Sequence, residues 1–140
     1  MTTIVTRAGK GSALSFAEGD ANFTNLNTDK LEASGGTITG YKETVFSLGT
    51  TSGTVAPNVA NGNVQSITLD GNLTLNAFTS PLAGQSLTLI VNTNGTGRTL
   101  TSSMKWAGGE KTLSATSTTD IISVFYDGTN YWASLSKDFK

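Results

Sequence analysis

The chain has 140 residues, enough for one compact domain plus an appendage. Only 14% of them are Asp, Glu, Lys or Arg and the net charge is −1, which argues against nucleic acid or an acidic membrane as partner. Cysteine and histidine are absent, which excludes disulfides, thiolate metal sites and the ordinary nucleophilic triads.

Thr, Ser, Asn and Gly supply nearly half of the residues, a composition that favours strands and turns over helices. A hydrophobic share of 36%, with Trp106, Trp132 and six Phe, is enough for a packed core. No segment approaches the roughly 18 consecutive apolar residues of a membrane span. The N-terminus lacks the apolar run of a signal peptide, so the expectation is synthesis and assembly in the cytoplasm.

Residues 1–34 differ from the rest. Thr3 to Thr6 reads as a short strand and Gly9-Lys10-Gly11 as a flexible tether. Arg7 and Lys10 precede the first acid, Glu18, and fit either a solvated arm or a contact with an anionic partner. Ser15-Phe16-Ala17-Glu18 has the spacing of a capping box and opens a helix predicted over 16–31, about 24 Å long. Phe16, Phe23 and Leu26 fall on one side of it at i, i+7 and i+10, while Lys30 takes the next position of that stripe. Gly19 and a run of Asn, Asp and Thr make the helix poor by propensity, so it needs a partner surface. That surface is either the β body or further copies of the same helix. Gly35-Gly36 separates the helix from the residues downstream of it and favours the copies.

Residues 35–40 read as a Gly-rich linker and 41–140 as a β domain, with hydrophobicity alternating from Tyr41 onward. Gly49 to Asn63 is rich in turn formers and reads as a long loop with a brief strand near Val55. Ser66–Leu69 and Leu73–Leu75 flank Asp70-Gly71-Asn72, which predicts a hairpin with Gly71 at positive φ. Leu87 to Val91 is the strongest core strand, and Thr93 to Gly97 turns it toward Arg98–Thr101. Met104–Trp106 and Lys111–Leu113 read as shorter strands. Ile121–Tyr126 and Tyr131–Leu135 form a hairpin around Asp127-Gly128-Thr129-Asn130, with bulk on both faces, which predicts a place between two layers and Phe125 in the core. The fold class predicted is mainly β: an N-terminal arm and short trimerising helix, followed by a single β-sandwich or jelly-roll-like domain.

Chemistry has few footholds. A glycosidase needs only two carboxylates, so it is the one enzyme class the composition permits. Of the ten acids, Asp70 and Asp127 are explained by turns, and Glu18, Asp20, Asp29 and Glu32 belong to the helical segment. Glu43, Glu110, Asp120 and Asp138 remain, and the reading is that the protein is not an enzyme and carries no cofactor. No Asp-x-Asp run provides a calcium site and no phosphate-loop spacing occurs. Asn-x-Thr matches at Asn22, Asn72 and Asn94 are chance products of the composition. Trp106, Tyr131 and Trp132 are candidate glycan contacts; alternation instead places one of each neighbouring pair in the core.

The opening Met1 to Ser12, followed by Asp20-Ala-Asn-Phe-Thr-Asn-Leu-Asn-Thr-Asp-Lys-Leu31, resembles the N-termini of tailed-bacteriophage virion surface proteins, among them tail fibres, head appendages and decoration proteins. Gly35-Gly36-Thr37-Ile38-Thr39-Gly40 is similar to linkers of phage fibres, and Gly84–Val91 with Phe125–Trp132 resembles their β domains. The resemblance implies a homotrimer with Phe16, Phe23 and Leu26 at its interface. It also implies attachment through an arm containing Ile4, Val5, Arg7 and Lys10. The implied partners are the chain itself and a major capsid or tail protein, with a host glycan as a further one, and the implied location is the virion surface. A single β domain joined almost directly to its anchor fits a capsid decoration (cement) protein. A short tail fibre or tail appendage that touches a host receptor is the alternative, and a carbohydrate-binding module is a third reading from a different class.

Overall fold

The computed structural model describes residues 4–29, 40–115 and 118–140. The chain divides into two compact units, Met1–Tyr41 and Lys42–Lys140, each with its own architecture.

In the first unit, helix α1 (Arg7–Lys10) is a single turn and helix α2 (Phe16–Asp29) carries the apolar stripe. The Thr6 hydroxyl caps α1 by accepting from the Gly9 N–H at 3.0 Å, and Gly11 closes it at φ 73°. The capping box at the start of α2 forms as the spacing predicts. The Glu18 N–H donates to Ser15 Oγ at 3.2 Å, and the Ser15 N–H donates back to Glu18 Oε2 at 2.7 Å. The Lys10 ammonium pairs with the same carboxylate, tying α1 to α2. The strand predicted at Thr3–Thr6 is absent over Ile4–Thr6, and Gly9 and Lys10 are helical instead of a tether. Local capping by Thr6 and Gly11 outweighs the flexibility of the intervening glycine. The predicted helix end at Leu31 and all of the linker except Gly40 lie outside the described residues.

The second unit is mainly β. Its strands are β1 (Phe46–Val55), β2 (Val64–Leu75), β3 (Gln85–Asn92), β4 (Leu100–Thr101), β5 (Lys105–Trp106), β6 (Thr119–Tyr126) and β7 (Tyr131–Phe139). Among the described residues they form one sheet in the order β1-β2-β3-β6-β7-β5, with β4 alongside β2. The predicted sandwich is thereby replaced by a winding of the β-solenoid type. β1, β2 and β3 run parallel, and the short connections between them contain no α-helix.

Successive turns of the winding stack residue on residue. Ser47, Ser66 and Ile90 form one column, and Thr54, Thr74 and Thr101 form another. β2 runs through the corner at Asp70-Gly71-Asn72 without reversing, so the hairpin predicted there does not form. Its inward positions Gln65, Ile67, Leu69, Leu73 and Leu75 keep one parity through that corner. Gly71 has no positive φ. It is glycine for a different reason: a Cβ there would lie 2.7 Å from Ser52 Cβ on the turn below. The predicted loop Gly49–Asn63 is likewise reduced, since Gly49 to Val55 belong to β1 and only Ala56–Asn63 make the connection.

The corners are held by side chains. Gln65 is fully buried, and its Nε2 donates to the carbonyls of Asn58 (2.7 Å) and Gly62 (2.9 Å). Asn58 Oδ1 accepts from the Ala60 N–H and starts the short 3-10 turn Val59–Asn61. Asn72 Oδ1 accepts from the Thr99 N–H, joining two turns of the winding. The core is aliphatic, with Leu69, Leu89, Val91 and Ile122 at its centre and Phe78 at one side.

The antiparallel hairpin β6–β7 pairs with β3 and closes one edge of the winding, as the predicted turn at Asp127–Asn130 allows. Lys111–Leu113, expected as a strand, is irregular. Its neighbour Ser114 is instead pinned by buried Asp120: the Ser114 N–H and Oγ donate to its two carboxylate oxygens at 2.7 and 2.6 Å. The Asp138 N–H donates to the same group at 2.9 Å.

Candidate functional site

Two exposed apolar surfaces stand out, one in each unit. On α2, Phe16 is 96% exposed, Phe23 74% and Leu26 56%. The face of α2 that is covered is polar. Asn22 faces the Ile4–Thr6 segment, accepting from the Val5 N–H (2.9 Å) and donating to the Val5 carbonyl (2.8 Å). Glu18 and Gly19 are partly covered on the same side. Among the described residues of the first unit, the hydrogen-bonding face of α2 is thus turned inward and its aromatic face outward. Of the arm residues, Ile4 is exposed, Val5 is held by Asn22, and Lys10 is paired with Glu18. Lys10 and the Ser15 N–H and hydroxyl lower the Glu18 carboxyl to a pKa of about 2.

In the second unit the hairpin alternation runs opposite to the expectation for Phe125. Ile122, Val124 and Ala133 point into the core, while Phe125 is 43% exposed and Trp132 47%. The two rings are cross-strand partners on the outer face. Bulk on both faces therefore marks an outward aromatic pair over an inward aliphatic one, because the winding supplies a single layer here. Phe125 also pairs with Ser86, and Trp132 with Lys105, so Ser86, Phe125, Trp132 and Lys105 form one row across β3, β6, β7 and β5. The adjoining row is Thr88, Ser123 and Ser134, and the two rows line a shallow groove.

The indole of Trp132 is held from two sides. Its Nε1–H donates to Asp127 Oδ2 at 2.7 Å, and the Lys105 ammonium lies 4.9 Å from the ring centroid. Asp127 Oδ1 accepts from the Thr129 and Asn130 N–H groups at 2.7 Å each. The Asn130 N–H, the Trp132 indole and the Thr129 N–H, in that order, keep the Asp127 carboxyl below the usual carboxylate range.

Of the three candidate glycan contacts, only Trp132 faces outward. Trp106 packs against the core. Tyr131 stacks on Tyr126 with centroids 4.5 Å apart and meets Phe78 edge-on at 5.0 Å. Burial, and then the neighbouring Tyr126, push its phenol upward in pKa. Sequence reasoning misses Phe125 as a surface residue because alternation gives two faces without saying which one is wet.

Three of the four carboxylates left as catalytic candidates have local tasks. Asp120 holds the Ser114 loop, Asp138 pairs with Lys140, and Glu110 accepts from the Thr112 N–H at 2.7 Å. No cluster of three metal-ligating side chains occurs among the described residues. No family model, no curated protein and no solved structure matches the chain.

Proposed function

We propose that the protein is a structural component of a bacteriophage particle, a homotrimeric surface protein of the capsid decoration type. The observation that carries this reading is the outward stripe Phe16, Phe23 and Leu26 on a helix that is weak on its own. Three such stripes side by side bury the aromatic face that the first unit leaves in water. The sequence likeness of that unit to phage virion proteins supports the location and the number of copies. Decoration requires many modest contacts repeated by symmetry, so each arm needs little affinity of its own.

A second reading, a short tail appendage that touches the host receptor, is favoured by one observation. Phe125 and Trp132 form an exposed aromatic pair, which a protein serving only as cement does not need. Immunogold electron microscopy of phage particles purified from cells that produce the protein tests both. Label distributed over the head supports decoration, label confined to the tail supports the appendage, and particles without label overturn both.

A further inference from the structure

We infer that the outer face of the β3–β6–β7–β5 strip is a saccharide-binding platform, with Phe125 and Trp132 as its stacking surface and Lys105 as its cationic end. The ligand class is a pyranose oligosaccharide bearing carboxylate groups, such as one built from uronic acids. The chemistry follows the row. Two aromatic side chains that are register partners on adjacent strands, whose backbones lie about 5 Å apart, make a surface the size of one or two sugar rings. The axial C–H groups of a pyranose form an apolar face that stacks on such rings, while its hydroxyls need donors and acceptors at the periphery. Ser86, Thr88, Ser123 and Ser134 provide those in the same groove.

Two features separate this patch from a scattered exposed hydrophobe. The first is preorganisation. The Asp127 carboxylate fixes the indole through its N–H at 2.7 Å, and that carboxylate is itself fixed by two backbone N–H groups of the turn. A ring already held in place loses little freedom when a ligand stacks on it. The second is charge. Lys105 lies beyond Trp132 from Phe125 in strand order, is exposed, and forms no ion pair with a described residue. A sugar lying across Phe125 and Trp132 therefore presents a ring carboxylate to an ammonium that touches the Trp132 ring but has no carboxylate partner among the described residues.

The site is independent of where the protein sits on a particle, so its test needs only the full chain in solution. Titration with tetragalacturonate and with neutral galactotetraose is followed by tryptophan fluorescence and by chemical-shift changes. The expected result is saturable binding of the acidic tetrasaccharide, with shifts confined to the outer face of β6 and β7. Trp132→Ala and Phe125→Ala should each weaken it about tenfold or more while the melting temperature stays within a few degrees. Lys105→Gln should weaken the acidic ligand and leave any binding of the neutral one unchanged. Absence of saturable binding by the acidic tetrasaccharide overturns the proposal, as does binding that survives Trp132→Ala. If Trp132→Ala instead abolishes self-association of the protein and sugar has no effect, the patch is a contact between copies and the inference is wrong.

Discussion

Single residues carry the departures from what the sequence predicts, and each has a local cause. Gly71 reads as a turn glycine but serves close approach, so Gly71→Ala should lower stability by about 1–3 kcal/mol through its clash with Ser52. Ser52→Gly in the same chain should restore most of the loss, and urea denaturation of the three variants checks it. Asp120 reads as a candidate for a catalytic pair, yet it is fully buried and accepts from Ser114 and Asp138. Asp120→Ala leaves those donors unpaired and should cost about 3 kcal/mol or more by the same measurement. Phe125 and Phe78 separate surface from core. Phe78→Ala should cost about 3–5 kcal/mol, whereas Phe125→Ala should cost about 1 kcal/mol or less. Alternation reveals that Phe125 and Val124 face opposite ways, but not which faces water. That choice is made by β3 and by the winding, which are distant in sequence.

Elements are legible where their signals are local. The capping box at Ser15 and Glu18, the start of α2 at Phe16 and the turn at Asp127–Asn130 all appear where the spacing places them. Strand direction is not legible, because period-two hydrophobicity is the same for parallel and antiparallel neighbours. A corner such as Asp70-Gly71-Asn72 uses the same residue types as a hairpin turn. β1, at the open edge of the sheet, carries irregularities at Gly49 (φ 77°) and Gly53 (φ 76°) that interrupt its register and blunt it against further strand addition. The capping box also makes α2 sensitive to pH. Because Glu18 is lowered from 4.5 to about 2 by Lys10 and Ser15, its support for the helix is complete above about pH 4.5 and is lost as pH falls toward 2. The helical signal in circular dichroism should decline through that window, and Glu18→Gln should flatten the decline.

At the scale of the whole molecule, the two units divide the work the protein is proposed to do. The β unit gathers Ile67, Leu69, Leu89, Val91 and Ile122 into one buried aliphatic cluster. The helical unit does the opposite, turning Asn22 inward and Phe16, Phe23 and Leu26 outward. Burying each of those side chains at a seam between copies should stabilise an assembly by roughly 1.5–3 kcal/mol apiece before the cost of association. Phe23→Asp places an unpaired carboxylate at that seam and should dissociate it while leaving the β unit folded. The most direct measurement is the molar mass of the full chain by multi-angle light scattering at micromolar concentration, with Phe23→Asp alongside. The account predicts about three times the 14.5 kDa chain mass for the parent and a single chain mass for the variant. A parent protein that runs as a monomer would contradict it.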